Sequence, residues 1–199
     1  MTKTSDPVEK IIGDPNLFGI RYLPCPIEYN YEQPDKYAIC HLIFDNTIIG
    51  SPTEECYLPT WYPQLIRHRN FIQNNLTVLY PKSFIGLTDR EIFELIIKTN
   101  QVEDEFDEKY LYLPQLNSSL WSNHTFFIDE TIDAFAICFY ILENNMKFLI
   151  EKTWPLQQEN TISSFIYPEV KADYFLNVLN ETIHFLELTY PYLSEYKKP

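Results

Sequence analysis

Three groups of residues in this 199-residue chain are of types that do chemistry. Cys40 and His41 are adjacent, a thiol beside an imidazole, the materials of a nucleophile and its base. Asp129, Glu130 and Asp133 gather three carboxylates within five residues, as an acid/base pair or a cation site would require. Glu103, Asp104, Glu105, Asp107 and Glu108 put five carboxylates in six residues, broken by Phe106 and followed by Lys109, Tyr110, Leu111 and Tyr112.

The first two groups fail as reaction centres on spacing. Neighbours on a strand project to opposite faces, so Cys40 and His41 cannot touch. A base for the thiol would have to come from His68, His124 or His184 through tertiary contact, the arrangement of a small Cys/His enzyme. On an extended strand Asp129 and Asp133 would stand about 13 Å apart, at about 3.3 Å per residue, too far to work together in glycoside chemistry. They read as a polar lead-in to a strand or as a partner contact. Glu54 and Glu55 read as favourable charges at a helix N-terminus.

The third group suits binding. Carboxylates steer encounter with a basic partner and rigid rings then bury as anchors, whereas a run without rings would be a solvated loop. The whole chain shares this character, with 28 acidic against 15 basic residues, a net charge of −13 and 16% aromatics. Nucleic acid is excluded as a partner, since phosphate contacts need Lys and Arg in excess on some face. The cluster Arg67, His68, Arg69 and Lys82 is too small for that and reads as a solvated helix face. Only four glycines are present, with no Gly-x-Gly-x-x-Gly and no Walker loop, which excludes a nucleotide-binding enzyme. Without a Cys-x-x-Cys pair or a His-x-x-x-His, no zinc site, and no other metal or cofactor, is expected. An acidic adaptor for some basic protein satisfies the same facts.

With 45% apolar residues at this length, one core suffices without disulfides. The expected organisation is a flexible N-terminus over 1–10, a single domain over 11–190 and a tail over 191–199. Met1 to Lys10 lacks the apolar stretch of a Sec signal, and the longest apolar run, Ala134 to Leu142, is about half of a membrane span. The chain is therefore expected in the cytoplasm, with no membrane partner and with Cys25, Cys40, Cys56 and Cys138 as free thiols.

The elements that must position these groups follow from periodicity. Gly13, Asp14, Pro15 and Asn16 form a turn ahead of a strand in which Phe18, Ile20 and Tyr22 share one face. Tyr37 to Phe44 is a second strand that Asp45 and Asn46 turn back into Thr47 to Gly50. Trp61, Leu65, Ile66, Arg69 and Ile72 recur at helical spacing over Trp61 to Gln73, with Thr60 as N-cap. Thr88 and Glu91 form a capping box that opens a helix over Asp89 to Thr99. No period is visible from Gln101 to Asn123. Ile132 to Leu142 and Met146 to Lys152 form a long hairpin around Glu143, Asn144 and Asn145. Ser163 to Tyr167 is a further strand, and Ala172 to Leu188 an amphipathic helix striped by Phe175, Val178, Leu179, Thr182, Ile183 and Leu186. The class is α+β, one domain with a mainly antiparallel β-sheet covered by about three α-helices.

The opening Ile11-Ile12-Gly13-Asp14-Pro15-Asn16-Leu17-Phe18-Gly19-Ile20-Arg21-Tyr22 resembles the start of the immunity protein 42 family of bacterial polymorphic-toxin and contact-dependent growth inhibition systems. The resemblance continues in Leu42-Ile43-Phe44-Asp45-Asn46-Thr47-Ile48-Ile49-Gly50, in Cys56-Tyr57-Leu58 with Trp61, and in Asp129-Glu130-Thr131-Ile132-Asp133-Ala134-Phe135. One departure is that the family's Phe-Ala-Ile is Phe18-Gly19-Ile20 here. The resemblance implies a cytoplasmic antidote without enzymatic activity that binds a cognate toxin C-terminal domain, of which many are nucleases with basic clefts. It carries over no contact residue. Glu103, Asp104, Glu105, Asp107, Glu108, Tyr110 and Tyr112, with Asp129, Glu130 and Asp133 second, are expected to form much of the toxin contact.

Overall fold

The structure is a computed structural model that describes residues 9–25, 33–51, 53–101, 119–152 and 165–197. The strands β1 (Lys10–Asp14), β2 (Phe18–Pro24), β3 (Tyr37–Phe44), β4 (Thr47–Ile49) and β5 (Cys56–Tyr57) form one sheet in the order β1-β2-β3, with β4 and β5 pairing opposite ends of β3. Two helices follow, α1 (Leu58–Asn75) and α2 (Asp89–Gln101), and then the short α3 (Leu120–His124). A second sheet holds β6 (Phe135–Leu142), β7 (Asn145–Lys152), β8 (Phe165–Ile166) and β9 (Glu169–Lys171), the last two both pairing with β7. The helix α4 (Ala172–Thr189) leads to a 3-10 helix, Pro191–Tyr196, whose Leu193 is buried. The α+β class expected from the sequence is observed, with all described strand pairs antiparallel, but the strands separate into two sheets.

Local chemistry explains each hairpin. Asp45 and Asn46 (φ 46° and 60°) and Glu143 and Asn144 (φ 51° and 63°) hold consecutive left-handed residues, the turn geometry whose twist matches paired strands. In β6, Ile137, Phe139 and Ile141 face the larger core while Cys138 and Tyr140 face a smaller one under α2 and α3. Covered on both faces, this strand reads as an uninterrupted apolar run. The larger core lies between the two sheets, α1 and α4, and at its centre are the rings of Phe18, Phe44, Phe126, Phe139, Phe148 and Phe175.

Several boundaries depart from expectation for physical reasons. Lys10–Asp14 is itself a strand, so Gly13 and Asp14 precede the turn rather than form it. Helix α1 starts at Leu58, with Pro59 in the first turn and no side-chain cap, so Thr60 is inside the helix and not its N-cap. The capping box of α2 is formed: Glu91 accepts from the Thr88 backbone N–H at 2.8 Å, and the Glu91 N–H donates to Thr88 Oγ1 at 3.3 Å. Within the stretch expected to lack its own structure, Ser119 caps α3 by accepting from the Ser122 N–H. The second hairpin starts at Phe135, because Glu130–Ile132 winds into a 3-10 turn instead of extending.

Gly13 shows how α4 fixes the first hairpin. Its φ is +90°, and a Cβ there would meet the Phe18 carbonyl oxygen at 2.6 Å and Val178 of α4 at 2.9 Å. Nearby, the Tyr174 hydroxyl donates to the Phe18 carbonyl and accepts from the Asp14 N–H. Gly13→Ala is expected to destabilise the fold by about 2 kcal/mol, through left-handed strain together with displaced backbone. A urea midpoint unchanged by the substitution would contradict this close approach.

Candidate protein-docking surface

The acidic turn is built from Asp129 outward. Asp129 is 9% exposed, and its Oδ1 accepts from the Thr131 N–H at 3.1 Å and from the Thr131 hydroxyl at 2.6 Å. It caps the 3-10 turn Glu130–Ile132. Thr131 and Ile132 are buried, which leaves Glu130 and Asp133 facing solvent, and the Asp133 N–H donates to the Glu130 carbonyl at 3.0 Å. Burial pushes the Asp129 carboxyl up against the opposing pull of the Thr131 bonds. Partial burial, then Glu130 and Glu54, push the Asp133 carboxyl up.

A polar relay ties this turn to the first sheet. The Ser51 N–H donates to the Thr131 carbonyl at 2.8 Å, and the Ser51 carbonyl lies 2.7 Å from His41 Nε2. His41 Nδ1 lies 3.4 Å from Arg21 Nη1, and Arg21 Nε donates to Glu9 Oε1 at 2.6 Å. A guanidinium only donates and a carbonyl only accepts, so Nδ1 is the acceptor and the His41 proton sits on Nε2. Burial lowers the His41 pKa first, and the Arg21 charge adds to that. His41, next to Cys40 in sequence, is therefore a buried strut of the acidic turn on the face away from the thiol.

The expected contact residues divide as follows. Glu130 and Asp133 are presented on one turn, while Asp129 is largely withdrawn into it as its cap. The extended geometry that would separate Asp129 from Asp133 is absent, because the 3-10 turn intervenes. Glu54 is not in the first turn of α1, which has no acidic residue; it adds its charge to Asp133 instead. Phe127, 49% exposed, supplies a ring just ahead of the turn, and its carbonyl is held by His68 Nε2 at 2.6 Å. Glu103, Asp104, Glu105, Asp107, Glu108, Tyr110 and Tyr112 lie outside the described residues. Glu54 and Phe127 are contributions that periodicity does not reveal, since a neighbour across the fold brings each into place.

The thiols and imidazoles have structural surroundings. All four cysteines are buried and unbridged, and burial raises the thiols of Cys25, Cys56 and Cys138 away from the reactive thiolate. His41, His68 and His124 each commit a ring nitrogen to a backbone carbonyl. Among the described residues no group of three or more His, Cys, Asp or Glu side chains is placed to hold a metal ion. Among them, too, no helix is long and apolar enough to cross a membrane.

A family model described as immunity protein 42 matches residues 11–185. The fold is similar to that of CdiI from Burkholderia dolosa AUO158, with a TM-score of 0.57 over 88% of this chain and 99% of that one. The two sequences are 12% identical, so the likeness is one of fold. No curated protein sequence matches the chain.

Proposed function

The chain belongs to the immunity protein 42 family, and from that premise we propose that it binds and neutralises a cognate toxin C-terminal domain in the cytoplasm, without enzymatic activity of its own. The toxin is of a basic, nuclease type, and the contact is acidic and aromatic. The observation that carries this reading is the pair of exposed carboxylates, Glu130 and Asp133, held on a capped turn that the Ser51–His41–Arg21 relay pins to the first sheet. Charges fixed before encounter need little ordering on binding, so more of their attraction reaches the complex. Glu103, Asp104, Glu105, Asp107 and Glu108 extend the field, with Tyr110 and Tyr112 as anchors. Neutralising a lethal enzyme calls for nanomolar affinity or better, about 12 kcal/mol, which steered charges alone do not supply and buried rings do.

Charge reversal tests the reading. Lysines in place of Glu103, Asp104 and Glu105 are expected to slow association with the toxin domain by about tenfold or more at low salt, with the difference shrinking as salt rises. Glu130→Lys with Asp133→Lys is expected to act in the same sense by a smaller factor. Stopped-flow association rates decide it: a rate unchanged by the first set removes that run from the interface, and a rate unchanged by both removes the acidic surface.

A further inference from the structure

Within an acidic chain, one groove presents an uncompensated cation. It holds about 400 Å³ between α1 and α4, with Arg69 and Asn70 on one side, Asn180, His184 and Glu187 on the other, and Lys197 at its margin. Glu187 is already engaged, accepting from Lys197 Nζ at 2.7 Å and from the Tyr62 hydroxyl at 2.6 Å, so the lysine charge is matched. Arg69 is not matched in this way. Its Nη1 donates to the neutral Asn180 Oδ1 at 2.9 Å, and its Nε is buried without a hydrogen-bond partner among the described residues. A guanidinium cannot shed its proton, so one that lines a groove with a neutral side-chain partner, and with no carboxylate paired to it among the described residues, keeps a charge that an anion can match.

We propose that this groove takes an acidic side chain of the partner toxin, with Arg69 as its anchor. The proposal rests on the toxin-binding reading and adds a contact of opposite sign to the acidic surface. Position supports it. His68, the residue before Arg69, holds the carbonyl of Phe127, so the groove and the acidic turn border the same stretch of α1. Charge supports it as well. One unmatched guanidinium beside a fixed carboxylate suits a single aspartate or glutamate and opposes a dianionic phosphate or a nucleic-acid backbone. A broad negative field attracts a basic partner in many orientations, and one inverted contact selects among them.

The test uses the full chain and the proposed cognate toxin domain. Arg69→Met, checked for an unchanged melting temperature, is expected to weaken binding about tenfold or more through faster dissociation, with Arg69→Lys intermediate. Each Asp and Glu of the toxin is then changed to Lys and measured against Arg69→Glu. One toxin position is expected to regain affinity when the two reversed charges are paired. Wild-type affinity in Arg69→Met overturns the groove while leaving toxin binding intact. Weakening without any toxin carboxylate that couples to Arg69 overturns the carboxylate occupant. A wild-type chain that does not bind the toxin overturns this proposal together with the function it deepens.

Discussion

Phe148→Ala should cost about 4 kcal/mol, a large part of the roughly 5–15 kcal/mol by which a domain of this size is stable. Phe148 is fully buried on β7, and its ring centroid lies 4.6 Å from that of Phe44, 5.1 Å from Phe175, 6.2 Å from Phe126 and 6.3 Å from both Phe18 and Phe139. It thus connects rings on the first sheet, the second sheet and α4. Removing it forfeits the transfer free energy of the ring and leaves a cavity walled by β2, β3, β6, α4 and the segment at Phe126, which cannot all collapse inward. Urea unfolding measures the effect, as a lowered midpoint with an unchanged slope. Phe127→Ala, half exposed beside the acidic turn, is the contrast and should change stability by about 0.5 kcal/mol or less. A loss under about 1 kcal/mol at Phe148 would contradict the packing.

Acid should unfold this protein through its histidines, and His124 carries the largest share. It is fully buried between the rings of Phe84 and Phe139; its Nδ1–H donates to the Phe139 carbonyl at 2.9 Å, and its Nε2 has no partner among the described residues. Burial pushes its pKa down from 6.5 to about 4, with the Phe139 bond pulling the other way. Below pH 6.5 the unfolded chain takes up a proton that the folded chain refuses, so stability is fully present above that pH and drains as the pH falls towards 4. At about 1.4 kcal/mol per pH unit, the loss from this one group is about 3 kcal/mol. His68, which is only half-buried, and His41 shift in the same direction and steepen the decline. Asp129 and Asp133, pushed up, work against it at the acid end, where their folded forms take up protons first. His124→Leu removes the titrating group. Its stability between pH 7 and pH 5 should fall less steeply than wild type, by about 1.4 kcal/mol per unit once below 6.5. Parallel profiles for the two proteins would remove His124 from the account.

What the sequence makes legible is what local chemistry determines. The Thr88/Glu91 capping box, the left-handed turns at Asp45–Asn46 and Glu143–Asn144 and the apolar stripe of α4 each lie within a few residues of their cause. The acidic turn was only partly legible. Ile128 and Ile132 flank it with apolar character that suggests a strand, whereas Asp129 two residues before Thr131 is a local cap that winds the chain. Glu54 near Asp133, the relay from Arg21 through His41 to Ser51, and the groove of Arg69 and Asn180 were not legible. Their partners stand ten or more residues apart and meet because β2 pairs with β3 in the register that sets Arg21 opposite His41, because Ser51 bonds to Thr131, or because α1 packs on α4. The same holds for β1, whose strand character comes from its register with β2 more than from its own five residues.

The most direct measurement of the proposed function is growth of cells that express the proposed cognate toxin domain, with and without co-expression of this chain. Growth arrested by the toxin alone and restored by the wild-type chain is the predicted result. Arrest that persists at matched expression of the folded chain would contradict the proposed role.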